Sequence, residues 1–275
     1  MKFFVFLLIL ANISLVCFSQ QKKIDVTYVA NCGFLIKTTN KQLVIDALFK
    51  EGFNNYLVTP DTIATRIISS KEPFNNVHLL FITHDHEDHF NDSMVVKYLN
   101  YNPNNILIAP TSVAKAIITY PGYKKNKNQI VEIDKINQAK NDTMIQGIRI
   151  KSFFLQHDNR PEIENVGYLI DMDGIEILHT GDCTGSDTIQ LKNLQLQNSG
   201  IDLAFLNFYG FWRGQKLRDF TKEVINPKKI VLMHIPPKEI GSVKESVKKI
   251  NNFIDITVFD KSMEKKSFNY DTTFY

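Results

Sequence analysis

Residues 81–90 read FITHDHEDHF and place His84, His86 and His89 within six positions, in a chain of 275 residues that has seven histidines. The stretch ends an apolar run, NVHLLFITH (76–84), and precedes NDSMVVKYLN (91–100), which opens on two helix-capping residues. A strand that runs into a helix through a short turn can point several side chains into one cavity. Imidazole and carboxylate suit zinc, and also iron or manganese. Taken alone, the same turn also suits a solvated acidic cap, so the rest of the ligand set has to come from elsewhere.

Three polar residues follow apolar runs further along. His157 ends IKSFFLQH, Asp182 ends IEILHTGD and His234 ends IVLMH. Strand ends in layered α/β sheets are where sites assemble. With His84, His86, Asp88 and His89 they make seven candidate ligands, enough for two neighbouring cations. His78 and His179 lie inside apolar runs and are expected to be structural.

Composition fits a globular chain. It is 44% hydrophobic and 22% charged with a net charge of +3, and it has no domain-sized basic stripe to attract nucleic acid. The first residues, MKFFVFLLILANISLVCFSQQKK, have a basic start, an apolar run and small residues before a polar stretch. That is the layout of a secretory signal, too short in its apolar part for a stable membrane span. The expectation is a signal peptide at 1–19, a mature domain at 20–275, and export to the periplasm or the extracellular space. Cys32 and Cys183 remain after cleavage, and spacing alone does not say whether they pair.

Along the mature chain, IDVTYVA (24–30), GFLIKT (33–38) and QLVIDAL (42–48) read as a strand meander. Helix-like segments at 61–70, 91–100, 111–120, 215–226 and 237–251 then alternate with apolar strands. VGYLIDMDGIEILHTGD (166–182) reads as a hairpin turning at DMDG. This order predicts an α/β fold with a mixed sheet layered by helices.

HDHEDH matches the H-x-H-x-D-H signature of the metallo-β-lactamase-fold superfamily, with His157, Asp182 and His234 following in the expected order. YVANCGFLIKTTNKQLVIDAL is similar to the superfamily's opening hairpins. Over about residues 24–260 the chain most resembles the branch containing L-ascorbate-6-phosphate lactonase and N-acyl-phosphatidylethanolamine phospholipase D. The resemblance implies an αββα sandwich of two mixed sheets flanked by helices, with two divalent cations, zinc by default and manganese as the other option. It implies that His84, His86 and His157 hold one cation and Asp88, His89 and His234 the other, with Asp182 bridging. Asp46 is expected to orient a ligand through a hydrogen bond.

Two cations 3.5–4 Å apart can share a bridging water and supply hydroxide at neutral pH. The expected activity is therefore metal-dependent hydrolysis of an ester, lactone or phosphodiester in a small-molecule substrate, with Asp88 as the catalytic group relaying the proton. LNFYGFWRGQK (206–216) is expected to be a loop whose Tyr209, Trp212 and Arg213 line the pocket. The alternatives are a catalytically inactive metal-binding protein of this fold and a di-iron redox protein.

Overall fold

Three antiparallel strands open the structure: β1 (Lys22–Ala30), β2 (Gly33–Lys37) and β3 (Gln42–Ile45). The computed structural model describes residues 22–124, 126, 128–135, 142–186, 188–250 and 255–270, so the expected signal at 1–19 lies outside the described residues. After β3 the chain alternates helix and strand through α1 (Asp61–Ile68), β4 (Leu79–Phe81), α2 (Asp92–Tyr101), β5 (Ile106–Pro110), α3 (Thr111–Thr119) and β6 (Ile130–Ile133). Strands β3 to β6 pair parallel in order.

The second half repeats the scheme. Strands β7 (Asp142–Ile145), β8 (Ile148–Phe154), β9 (Val166–Met172) and β10 (Ile175–His179) pair antiparallel. Then come α4 (Thr188–Asn193), β11 (Leu203–Asn207), α5 (Phe208–Phe211), α6 (Gln215–Val224), β12 (Lys229–Met233), α7 (Pro237–Lys249) and β13 (Asp255–Val258). Strands β10 to β13 run parallel. A last strand, β14 (Lys265–Tyr270), lies beyond the stretch expected from sequence and pairs antiparallel with β1. Each half contributes one sheet, and with β14 added to the first each sheet has seven strands.

Burial explains why the central strands read as continuous apolar runs. In β2, Phe34 and Ile36 face the layer between the sheets, while Leu35 packs under α1–α3. In β11, Leu203 and Phe205 join the same central layer, and Ala204 and Leu206 pack under the helices of the second half. Strands covered on both faces carry no polar alternation. The result is the expected αββα sandwich of two mixed sheets. Local signals set the connections: Asn91 caps α2 by accepting from the Met94 N–H at 3.1 Å, and Asp173 and Gly174 both take positive φ in the β9–β10 turn. Among the described residues no helix is long and apolar enough to cross a membrane.

The apolar run at 76–84 gives only a three-residue strand, β4, after which the chain leaves the sheet. The residues beyond the ends of β3, β4, β8, β10 and β12 therefore meet at one edge of the sandwich, together with the β1–β2 turn.

Candidate metal centre

The turn after β4 is closed by the His89 and Phe90 N–H groups, both donating to the His86 carbonyl, at 3.0 and 2.9 Å. It brings His84 and His86 against His157, with ring centroids 4.6–5.1 Å apart. One ligand atom from each of these three residues lies within 4.8 Å of the other two. His84, His89 and Asp182 form a second such group. Asp88 Oδ2 lies 3.3 Å from His234 Nε2 and 3.9 Å from His89 Nε2. Asp182 Oδ2 stands between the two halves, 2.9 Å from His157 Nε2 and 3.4 Å from His234 Nε2. All seven sequence-predicted side chains thus meet in one cluster.

Several nitrogens in the cluster make no aligned hydrogen bond. His84 Nε2, His89 Nε2, His157 Nε2 and both ring nitrogens of His234 are buried without an aligned hydrogen-bond partner. Leaving one such atom unpaired costs about 1–3 kcal/mol. Inward-facing, unpaired imidazole nitrogens beside ionised carboxylates are a donor set that fits divalent cations.

Hydrogen bonds behind the cluster fix how the rings present themselves. Asp46, fully buried, accepts the Thr83 N–H at 2.8 Å through Oδ1 and the Thr83 hydroxyl at 2.6 Å through Oδ2. Oδ2 also lies 2.9 Å from His89 Nδ1, and Thr83 Oγ1 lies 3.0 Å from His84 Nδ1. The Thr83 proton is committed to Asp46, so its oxygen accepts from His84 Nδ1–H, and Asp46 accepts from His89 Nδ1–H. Both rings then turn their Nε2 lone pairs inward. Asp46 and His234 both hold positive φ, at 44° and 59°, conformations that non-glycine residues adopt only under constraint.

The electrostatics match. Burial, reinforced by the neighbouring histidines, pushes His84 well below its ordinary range, so it stays neutral. Burial would raise Asp182, but His234 and His157 hold it well below the usual carboxylate range. Asp88 is lowered as well: burial opposes ionisation, and the contact with His234 outweighs it.

Sequence reasoning missed the supports made by neutral side chains. Asn165, fully buried, accepts the Asp182 N–H at 3.0 Å and donates to the Thr180 carbonyl at 3.2 Å. Gly181 has φ +56° and no room for a Cβ, which would fall 2.2 Å from Asn165 Oδ1. Asn207 donates to Asp182 Oδ1. Asn31 donates to Asp88 Oδ2 at 3.1 Å and to the Asp88 carbonyl at 3.2 Å. Only their positions beside strand ends could have flagged them. His179 is structural, as expected: its Nδ1 accepts from the Gly181 N–H and its Nε2–H donates to the Cys32 carbonyl, both at 3.1 Å.

The expected substrate loop is a correction. Residues 208–211 form the helical turn α5, and Trp212 is buried in the core beneath the second sheet. Arg213 stacks over Tyr209, whose hydroxyl donates to Glu239 at 2.8 Å. The open cleft over the cluster, about 330 Å³, is lined instead by Phe53, Tyr56, Asp158 and Arg160, with His86, Asp88, Asp182 and His234 at its floor. Asn207 caps α5 by accepting from the Tyr209 and Gly210 N–H groups, and that cap directs the aromatic segment into the core.

A family model described as the beta-lactamase superfamily domain matches residues 41–248. The chain belongs to this superfamily. It is similar to the UPF0173 metal-dependent hydrolase of Thermococcus onnurineus, 29% identical over 214 residues, 72% of this chain and 85% of the relative. Among solved structures it shares its fold with Igni18, a metallo hydrolase of Ignicoccus hospitalis, at 17% identity and a TM-score of 0.61, over 90% of this chain and all of that one. It also shares the fold with CmlA, a diiron β-hydroxylase of Streptomyces venezuelae, at 10% identity and a TM-score of 0.55, over 91% of this chain and 54% of that one. Superfamily membership and the buried histidine–carboxylate cluster mark the chain as a metal-dependent hydrolase.

Proposed function

We propose that the cluster is a dinuclear centre that hydrolyses a small, anionic cyclic ester or phosphoester. The observation that carries this is the position of Asp182 Oδ2, 2.9 Å from a nitrogen of one histidine group and 3.4 Å from a nitrogen of the other. One oxygen shared by two ligand groups suits a bridging role. His84, His86 and His157 would hold one cation, and Asp88, His89 and His234 the other. Zinc is the default occupant, with manganese the alternative. Two such cations, when bound, would supply an activated water and polarise the scissile carbonyl or phosphoryl group.

The chain's own residues do the rest. Asp88 lies at the cleft floor with its carboxylate held ionised and anchored by Asn31, so it can orient the attacking water and accept its proton. Arg160 at the cleft wall offers a planar, permanently charged fork for a phosphate or carboxylate. Phe53 and Tyr56 give the cleft an apolar side. A volume near 330 Å³ is at the small end for ligand pockets and suits a compact substrate. That favours the side of the resembled branch that handles small sugar-derived lactones over the side that handles lipid diesters. We also infer that residues 1–19 are a cleaved signal and that the mature domain works outside the cytoplasm, a reading supported by the layout of the first residues.

Metal analysis followed by a panel of phosphorylated lactones, cyclic phosphodiesters, β-lactams and acyl amides tests the function. The expected result is two cations per chain and chelator-sensitive turnover of a small anionic ester. Turnover confined to lipid diesters would overturn the substrate class, and no turnover by fully metallated protein would leave a binding protein.

A further inference from the structure

Cys32 forms the β1–β2 turn with Asn31 and is fully buried. It is not disulfide-bonded, and neither is Cys183. Its sulfur and one ring nitrogen each from His89 and His234 lie within 4.8 Å of one another. Zinc–sulfur and zinc–nitrogen bonds of about 2.3 and 2.0 Å at tetrahedral angles put sulfur and nitrogen about 3.5 Å apart, inside that limit. His89 Nδ1 is taken by Asp46, so His89 presents Nε2 here, and His234 Nε2 also lies 3.3 Å from Asp88 Oδ2. His89 Nε2 and both nitrogens of His234 are at least nine-tenths buried and have no aligned partner.

The turn is also held in place independently of any ligand. The Cys32 carbonyl accepts from His179 Nε2–H at 3.1 Å, which ties it to the end of β10. A sulfur that only filled space would pack as well among the apolar side chains of the central layer, which Cys32 also adjoins. Here it borders two imidazole rings, each with a buried ring nitrogen that makes no aligned hydrogen bond.

We propose that Cys32 is a ligand of the cation held by His89 and His234, making that half of the centre a mixed sulfur, nitrogen and oxygen site. Binding breaks the S–H bond, forms a sulfur–metal bond and releases the proton to solvent, with no change of oxidation state. Soft thiolate then favours zinc or cobalt over manganese at this position. The proposal rests on the dinuclear centre proposed above.

Cobalt loading of the full chain tests it by absorption. In a variant with Cys17→Ser and Cys183→Ser, Cys32 is the remaining thiol and the site itself is untouched. The expected result is a near-ultraviolet thiolate-to-cobalt charge-transfer band as strong as in the wild type. Cys32→Ser should lose that band while still taking up cobalt, and its preference for zinc over manganese should fall roughly tenfold or more. Two bound cobalt ions without the band in the Cys32-only chain would remove Cys32 from the centre and leave the dinuclear reading standing. A chain that takes up no cobalt would overturn both.

Discussion

Asp46 Oδ2 accepts the Nδ1–H of His89 at 2.9 Å and the hydroxyl proton of Thr83 at 2.6 Å, so one buried carboxylate orients ligands on both sides of the turn. Its position at the end of β3, beside β4, makes this reach possible. Replacing it removes the anchor for two rings and keeps all seven ligand side chains. Asp46→Asn should lower metal affinity by roughly 10–100-fold. A chelator competition titration measures this, with circular dichroism checking that the fold is kept. Unchanged affinity would reduce Asp46 to a turn residue.

Gly181 sets the path by which Asp182 reaches the centre. An alanine there meets φ +56° and Asn165 Oδ1 at 2.2 Å. Gly181→Ala should cost about 1–3 kcal/mol of stability and loosen the metal, because Asn165 can no longer accept from the Asp182 N–H. Denaturant unfolding and metal titration should report both losses together. Loss of stability alone would show that Asp182 is held by other means.

Trp212 and Arg160 should respond in opposite ways. Trp212 is buried, so Trp212→Ala should destabilise the protein by roughly 3–5 kcal/mol. Arg160 borders the cleft with its side chain 46% exposed and its Nη2 3.1 Å from His157 Nδ1 and 3.3 Å from Asp158 Oδ2, so Arg160→Ala should leave unfolding almost unchanged and raise KM for anionic substrates by about tenfold or more. Equal kinetics on charged and neutral substrates would take Arg160 out of recognition.

His179 gives the metal-free protein a pH signature. Burial holds it down to about 4, from an ordinary value of 6.5. Its neutral form is shared by folded and unfolded chains above 6.5, so it carries no penalty there. Below 6.5 the unfolded chain takes up a proton that the folded chain refuses, and stability falls until the pH reaches about 4. The loss is on the order of 3 kcal/mol. Comparing metal-free wild type with His179→Gln at pH 7 and pH 4.5 isolates it, and parallel stability profiles for the two would refute it.

Processing of the N-terminus can be read directly. Protein recovered from the exported fraction should begin at Gln20 by mass spectrometry. An intact Met1 in that fraction would replace the cleaved signal with a retained anchor.

Sequence alone pointed to seven candidate ligands and to the layered fold, and both for local reasons. The candidate ligands sit at fixed spacings within HDHEDH, and strands covered on both faces leave unbroken apolar runs that end on His157, Asp182 and His234. The folded chain decided what spacing cannot encode. The hydrogen bonds of Asp46, Asn165 and Asn207 depend on side chains from separate strands meeting at one edge. Cleft walls from Phe53, Tyr56 and Arg160 come from loops that lack periodicity, and Trp212 turned inward because Asn207 capped a helical turn where a loop was expected. Chemistry at a strand end is written in residue type, but which atom faces which is set only when two sheets close on each other.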